Sequence, residues 1–255
     1  STGEKPDETS EPRSQVWEKW EWFSGSSALS HYMSVNGFPH LPPLDFRYGW
    51  NLGKRAHQRL ALGALLTIGV SCLFASPNCS PWGNNSRSMP TDVRQAKRLE
   101  EFGTLQFLAV ACFFQVLLGR QYIIENSAYS DIFEFSPLCQ LRRISWSLAT
   151  LDQCMCGGQL EGQYIRKRSY FQSNRVLHYL NVLCDGSHKH LVLRGGHRTA
   201  SAAKYPKEEC KRILLDSGVP DRALKGGRKS PSSQDSARRD VGDSFGTLSL
   251  NEKIQ

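Results

Sequence analysis

The sequence predicts a three-layer α/β domain, with a mostly parallel sheet and helices on both of its faces. Three observations point to this fold class. Short β-prone segments alternate with helical ones, all 6 Trp lie in a central stretch, and polar turns follow the predicted strands. We therefore expect one domain over residues 16–215.

Each element follows from its local pattern. The strands are short apolar or aromatic runs, and the helices show apolar periodicity. Gly37 and Gly119 end two helices, because glycine readily takes the left-handed cap conformation, and Thr91 is expected to N-cap the longest helix. Strands are predicted at residues 16–23, 39–46, 67–75, 120–127, 147–154 and 169–172. Helices are predicted at residues 28–36, 54–66, 92–118, 175–183 and 206–215.

The two ends of the 255-residue chain differ in composition from this domain. Residues 1–15 and 216–255 have almost no aromatics and are rich in Ser, Gly, Pro and charge, so they bury too little surface to offset the entropy of ordering. We expect both ends to be disordered, the second as a basic tail. The formal net charge of +8 permits a polyanionic partner, but part of the excess lies in that tail.

Polar residues follow four of the predicted strands. They are Ser24–Ser27, Asp45, the loop that begins at Ser76, and Glu125–Ser127. Ligands of such sheets bind beyond the carboxyl ends of the strands, so these residues should lie together. A Ser/Gly turn lets backbone amides approach a cofactor, and an acidic residue after the second strand can hold ribose hydroxyls. A merely tight turn and a solvated carboxylate are the alternatives.

Cys79 and Glu125 are the candidates for chemistry. Cys79 lies in a polar, Pro-flanked loop, where a thiol can be exposed and can ionise beside positive charge. Glu125 directly follows an apolar run, so its carboxylate stands at a strand end. It is either a general acid or a hydrogen-bonded structural residue. An inert loop cysteine is the alternative for Cys79.

Taken together, these motifs resemble those of the cytosine-5 DNA methyltransferase family. Phe23–Gly25, Pro77–Cys79 and Glu125–Asn126 follow the order of that family's Phe-x-Gly-x-Gly turn, Pro-Cys nucleophile loop and Glu-Asn-Val strand end. Gln163–Arg168 loosely matches its Gln-x-Arg-x-Arg stretch, with one residue too many. The resemblance covers about residues 17–171.

The resemblance implies a Rossmann-like methyltransferase sheet with S-adenosylmethionine as the methyl donor and Asp45 near its ribose. The implied cofactor turn consists of Phe23, Ser24, Gly25 and Ser26. By the same resemblance, the Cys79 thiolate attacks C6 of a cytosine in DNA, and Glu125 protonates the N3 side of the ring. Arg166 or Arg168 steadies the pyrimidine and helps to keep Cys79 ionised. The base leaves the duplex to reach such a pocket.

Departures from the family pattern leave other functions open. Ser27 stands at the second Gly of the cofactor turn, Asn78 replaces the Pro before the nucleophile, and Ser127 replaces Val after Glu-Asn. Too little core follows Arg168 for a full target-recognition domain. The alternatives are an inactive descendant and a small-molecule methyltransferase, which has no need of Cys79.

Residues 119–214 carry a second resemblance. The runs GRQYIIENSAY, LDQCMCG, RKRSYFQSN, LCDGSHKHLVLRGG and AAKYPKEEC are similar to a segment of retrotransposon-type polyproteins. We interpret both resemblances as features of a single methyltransferase-like domain, which is carried by a mobile element or has decayed from one. The alternative function is therefore an inactive nucleic-acid-binding or structural segment of such a polyprotein. We expect a nuclear or otherwise intracellular protein.

A zinc site is the rival interpretation for the C-terminal part of the domain. Cys184, His188 and His190 offer thiolate and imidazole ligands, with Cys154-x-Cys156 upstream and His197 beyond. The spacing is not that of a standard zinc finger. A polar turn with solvated histidines is the alternative.

Two apolar runs, residues 60–75 and 105–118, raise the question of a membrane. Each is shorter than the ~20 residues of a spanning helix, and both fit an α/β core. The eight cysteines lack the spacing of a small disulfide-bonded domain. We expect no signal peptide, no membrane partner and reduced cysteines.

Overall fold

The computed structural model describes residues 19–144, 147–193, 198 and 201–225. The expected disordered segment 1–15 and most of 216–255 lie outside these residues. The described chain forms a five-stranded central sheet, a separate three-stranded sheet, and helices that cover both faces of the central one.

The central sheet has the strand order β1-β2-β3-β7-β4. Its strands are β1 (Lys19–Trp22), β2 (Cys72–Ala75), β3 (Gln121–Ser127), β4 (Ser147–Asp152) and β7 (Arg168–Ser173). The pairs β1–β2 and β2–β3 are parallel, whereas β7 is antiparallel to both β3 and β4. Four of the five strands therefore run in one direction, and the predicted mostly parallel α/β sheet is confirmed.

Two apolar cores lie on opposite faces of this sheet. Along β2, Leu73 and Ala75 belong to one core, and Cys72 and Phe74 to the other. This alternation is the period of two that an extended strand imposes. The helices are α1 (Ala28–Val35), α2 (Arg55–Ala64), α3 (Thr91–Leu117), α4 (Ile132–Phe135), α5 (Lys207–Asp216) and α6 (Asp221–Lys225). The helices α2 and α3 cover the first core, whereas α1 and α5 cover the second.

Two of the predicted strands are wrong in whole or in part. Residues 39–46 contribute only isolated bridges from His40 and Leu44 to β1. The segment contains three prolines, which have no N–H to donate to a continuous ladder. The first part of the strand expected at 67–75 instead continues α2 as a π-helical turn, Leu65–Gly69. The strand begins only at Cys72.

The helix predicted at residues 175–183 is absent. The Asp216 carboxylate instead accepts the backbone N–H groups of His178, Tyr179 and Leu180, at distances from 2.7 to 3.1 Å. A side chain distant in the sequence thus satisfies amides that would otherwise need helical partners.

The three-stranded sheet follows β4 in the chain and was not predicted. It contains β5 (Gln159–Leu160), β6 (Gln163–Ile165) and β8 (His190–Leu191). The first pair is antiparallel, and β6 pairs in parallel with β8. Strands of two or three residues are too short to show a period in the sequence.

Helix α3 is long and apolar enough to cross a membrane by length and composition, and among the described residues it alone passes this test. In the fold, 33% of the most apolar 18-residue stretch of α3 is buried. Leu105, Leu108, Ala111 and Cys112 pack into the first core. One side of the helix therefore packs on the core of the α/β domain.

Candidate active site

A cleft of about 400 Å³ opens at the carboxyl ends of β1, β2 and β3. The four groups of strand-end residues that the sequence singled out all line it: Phe23–Ser26, Asp45, Ser76–Cys79 and Glu125–Ser127. They meet because three neighbouring parallel strands end at the same edge of the sheet. Lys167 and Tyr205 also line the cleft from later in the chain.

The turn after β1 is left-handed at three residues, Phe23 (φ 54°), Gly25 (φ 53°) and Ser27 (φ 51°). The Gly25 N–H donates to Asp45 Oδ2 at 2.9 Å, and Asp45 Oδ1 accepts the Arg47 N–H at 3.0 Å. Asp45 thus fixes the turn by its carboxylate. A Cβ at Gly25 would meet no atom within 4 Å, so a ligand has room to approach the backbone there.

Ser27, which departs from the family's glycine, does not line the cleft. Its Oγ lies 3.0 Å from Ser24 Oγ and 2.9 Å from the Tyr48 hydroxyl, and the side chain is buried. The backbone keeps the left-handed conformation that glycine would take, at a cost of roughly 1–2 kcal/mol for a residue with a Cβ. The serine at this position is therefore accommodated by packing outside the cleft.

The loop that carries Cys79 is held by its neighbours on both sides. The Cys79 carbonyl accepts the N–H groups of Trp82 at 3.0 Å and Gly83 at 2.8 Å. Asn78 Oδ1 accepts the Ser80 N–H at 3.0 Å, which is an Asx turn. The Asn that replaces the family's Pro therefore rigidifies the loop by a hydrogen bond.

Asn126 connects the end of β3 to this loop. Its Nδ2 donates to the Pro77 carbonyl at 2.9 Å, and the residue is buried. The bond joins two of the resembling motifs directly, because Pro77 begins the Pro-x-Cys loop and Asn126 belongs to the Glu-Asn strand end.

Glu125 is buried at the base of the cleft among four polar side chains. Ser76 Oγ and the Tyr205 hydroxyl donate to Oε2 at 2.7 and 3.2 Å. Ser169 Oγ donates to Oε1 at 2.5 Å, and Lys167 Nζ lies 3.5 Å from the same oxygen. Burial raises the pKa of Glu125, but Lys167 and the three hydroxyls outweigh it and hold the pKa below its ordinary value. Glu125 is therefore ionised at rest.

The Cys79 thiol is protonated at rest. Cys79 is an exposed residue, as the sequence suggested it could be, but the protein packed around its sulfur and the charge of Glu125 raise its pKa. Lys167 and a hydrogen bond with Ser127 act in the opposite direction. The cleft thus holds an ionised carboxylate and a neutral thiol, so a reaction at Cys79 requires its proton to leave.

Arg166 and Arg168 do not line the cleft, in contrast to the sequence-based expectation. Arg168 forms two hydrogen bonds with the Asp152 carboxylate, at 2.8 and 2.7 Å. Arg166 Nε lies 3.7 Å from Asp152 Oδ2, and its side chain is 51% exposed. The cation at Glu125 is Lys167, which stands between them. Neighbouring side chains of an extended segment point to opposite sides, so Lys167 lines the cleft where Arg166 and Arg168 do not. This alternation could have identified Lys167 from the sequence.

Tyr205 and Glu209 complete the buried polar group and were missed. The Lys167 ammonium lies 5.5 Å from the centre of the Tyr205 ring. Burial raises the pKa of Glu209 to about 7, with Lys167 lowering it and Glu125 raising it further. Both residues lie about 80 positions or more beyond Glu125 in the chain, and nothing local in the sequence connects them to the site.

The metal candidates form a separate group. Ligand atoms of Cys184, His188 and His190 lie within 4.8 Å of one another and of Cys154 Sγ. Cys156 instead belongs to the second apolar core. His197 lies outside the described residues.

No protein family and no curated protein matches the chain. Among solved structures 54 chains match. One is the crystal structure of the S. pombe Dnmt2 methyltransferase, with a TM-score of 0.40 and 13% identity over 63% of this chain and 51% of that chain. This chain thus spans about half the length of that structure. At this TM-score the likeness is too weak to carry a functional inference.

Proposed function

We propose that the cleft binds S-adenosylmethionine and transfers its methyl group to C5 of a cytosine in DNA through a covalent adduct with Cys79. The convergence of Cys79, Glu125 and the Gly25 turn in one cleft carries this proposal. The motif resemblance supports it independently, because it rests on residue types and their order along the chain.

The cleft suits S-adenosylmethionine in its volume and in the open space beside the backbone at Gly25. Its volume of about 400 Å³ falls within the ~300–1,000 Å³ of small-molecule sites. The open space at Gly25 allows close approach to the turn after β1. When bound, S-adenosylmethionine supplies an electrophilic methyl group and leaves as S-adenosylhomocysteine.

The reaction at the base uses Cys79 and Glu125. The thiol proton passes to the Glu125 carboxylate, and Cys79 Sγ forms a bond to C6 of the cytosine while Glu125 delivers the proton to N3. This addition makes C5 a nucleophile. After C5 is methylated, its proton leaves to water and the N3 proton returns to Glu125. The C6–S bond then breaks, and the departing thiolate takes this proton from Glu125, which restores the neutral Cys79 thiol and the ionised carboxylate.

Two observations oppose the reaction and so leave a second candidate, a catalytically inactive nucleic-acid-binding or structural segment that keeps the fold. The hydroxyls of Ser76, Ser169 and Tyr205 already occupy the Glu125 carboxylate. The pKa of the Cys79 thiol is raised by burial and by Glu125. A cytosine would have to displace at least one hydroxyl, and the thiol would have to lose its proton.

Calorimetric titration of the full chain with S-adenosylmethionine tests the cofactor half of the proposal. We expect micromolar binding by the native protein and none by Gly25→Trp, whose indole would enter the cleft. Gly37→Trp is the matched control, because Gly37 also has a positive φ and open space but lies outside the cleft. Equal binding by both variants, or none by the folded native chain, would overturn the cofactor assignment.

Trapping on DNA that contains 5-fluorocytosine tests the chemical half, because fluorine at C5 prevents breakdown of the adduct. We expect a covalent complex that requires S-adenosylmethionine and is lost in Cys79→Ser. Cys139→Ser, outside the cleft, should form it normally. Cofactor binding without any adduct would support the second candidate, and an adduct on RNA alone would replace DNA as the substrate.

A further inference from the structure

A cluster of sulfur and imidazole groups lies outside the cleft, at the junction between the two sheets. Cys154 lies in a 3-10 turn directly after β4, and His190 lies in β8. Cys184 and His188 come from the segment that precedes β8. Two parts of the chain, the turn after β4 and the stretch 184–190, thus bring four potential metal ligands together, with all ligand atoms within 4.8 Å of one another.

We propose that Cys154, Cys184, His188 and His190 bind one zinc ion in a closed structural site. Two thiolates and two neutral imidazoles make a donor set that zinc favours, and they balance the charge of the ion. Four protein ligands leave no open coordination position, which is the arrangement of a structural site rather than a catalytic one.

Two of the ligand-to-ligand distances match a tetrahedral site. Cys184 Sγ lies 3.5 Å from His190 Nε2 and 3.8 Å from His188 Nε2. With Zn–S of about 2.3 Å and Zn–N of about 2.0–2.1 Å, adjacent S and N ligands of a tetrahedron are about 3.6 Å apart. Both imidazoles present Nε2 to the same sulfur, and the wider separations in the group, which reach at most 4.8 Å, shorten when the ion binds.

The surroundings orient these ligands. The His188 ring packs on Tyr164 with 4.3 Å between ring centres, and its Nδ1 lies 3.4 Å from Ser187 Oγ. Partners of this kind fix the ring orientation of metal-binding histidines. The Cys184 N–H donates to Asp152 Oδ2 at 2.9 Å, which anchors the loop to the end of β4.

Bound zinc would connect the small sheet to the central one. Asp152 also accepts both hydrogen bonds from Arg168 at the start of β7. The ion therefore stabilises the part of the chain that runs from β4 through the small sheet to β7. This role does not depend on methyl transfer.

Metal analysis of the full chain, purified under reducing conditions with zinc present, tests the site. We expect one zinc per chain in the native protein and loss of the metal in Cys184→Ala and in His190→Ala. Cys156→Ala is the matched control, because Cys156 lies two positions from Cys154 but packs into the second core. It should retain the full zinc content.

The cobalt-substituted native protein provides a second measurement that needs no variant to fold. A tetrahedral Co²⁺ spectrum with thiolate-to-metal charge transfer is expected. Folded native chain without stoichiometric zinc, an octahedral cobalt spectrum without thiolate bands, or a Cys154–Cys184 disulfide in the reduced preparation would each overturn the assignment.

Discussion

Lys167 is the residue on which the electrostatics of the cleft depend. Burial lowers its pKa, but the carboxylates of Glu125 and Glu209 outweigh this and raise the pKa above its ordinary value. Lys167 is therefore a permanent cation at neutral pH. It holds Glu125 ionised and opposes the rise in the pKa of Cys79.

Replacement of Lys167 by Met should destabilise the protein. The variant leaves the buried Glu125 carboxylate without its counter-charge, and removal of one partner of a buried pair costs roughly 3 kcal/mol. Urea unfolding at neutral pH measures the change. Arg166→Met is the control: its side chain is half exposed and 3.7 Å from Asp152, so a loss below about 1 kcal/mol is expected. Equal losses in the two variants would contradict the role of Lys167.

Glu21 should make stability depend on pH. Burial raises its pKa to about 7, although two hydrogen bonds from Ser30 lower it. Because the folded pKa lies above the ordinary 4.5, the folded state binds the proton more tightly. The stability that protonated Glu21 contributes to the folded state is fully present below about pH 4.5. About 3 kcal/mol of it is lost as the pH rises towards 7.

Urea unfolding of Glu21→Gln at about pH 5 and pH 7 checks this dependence. The raised pKa of Glu209 also makes stability fall as the pH rises. We therefore expect the stability of Glu21→Gln to fall between the two pH values by roughly half as much as that of the native protein. Glu100→Gln, an exposed residue of α3, should keep the full decline. An unchanged slope in Glu21→Gln would show that Glu21 is ionised in the folded protein.

At the scale of elements, α3 shows that residues of one apolar run can be either buried or exposed. Its C-terminal half is almost continuously apolar, yet only one side of the helix packs on the sheet. Leu108 is completely buried, whereas Val110, two positions later, is 42% exposed. A helix with 3.6 residues per turn separates these two positions by about 200°, so they lie on nearly opposite sides of the helix.

Paired alanine substitutions test that orientation of α3. Leu108→Ala should cost about 2–5 kcal/mol, because it removes fully buried methyl groups and leaves a cavity. Val110→Ala should change stability by less than about 0.5 kcal/mol. Thermal unfolding of both variants provides the measurement. Comparable losses would mean that both faces of the helix are covered.

At the scale of the whole molecule, the packed domain continues past the expected boundary at residue 215. Ser217 and Val219 are buried, and Val219 belongs to the second core. Lys19 Nζ donates to the Ser217 carbonyl at 2.6 Å, which ties this segment to the first strand. The Asp216 carboxylate also organises the residues after β7.

Two fragments distinguish these boundaries, residues 16–225 and residues 16–215. The shorter one loses the burial of Val219 and leaves three amides without the Asp216 carboxylate. We expect it to be less stable by at least about 3 kcal/mol, or unfolded. Urea denaturation of the two fragments decides the point, and equal stability would restore the shorter boundary.

Most of the fold could be predicted because its signals are local. Strands β1, β3, β4 and β7 and helices α1, α3 and α5 all formed close to the expected residues, since periodicity and turn residues act over a few positions. The failures have non-local causes. Residues 175–183 are held by Asp216 from a distant helix, and the strands of the small sheet are too short to show a period.

By itself the sequence determined that Cys79, Glu125 and the Gly25 turn follow the carboxyl ends of strands, because short apolar runs that end in polar turns are local signals. The strand order of the sheet makes those strands neighbours. Only the tertiary structure decided that Lys167 rather than an arginine faces Glu125, that Tyr205 joins them, and that Cys154 rather than Cys156 meets Cys184. These choices depend on how segments far apart in the chain pack against one another, and local patterns carry no record of that packing.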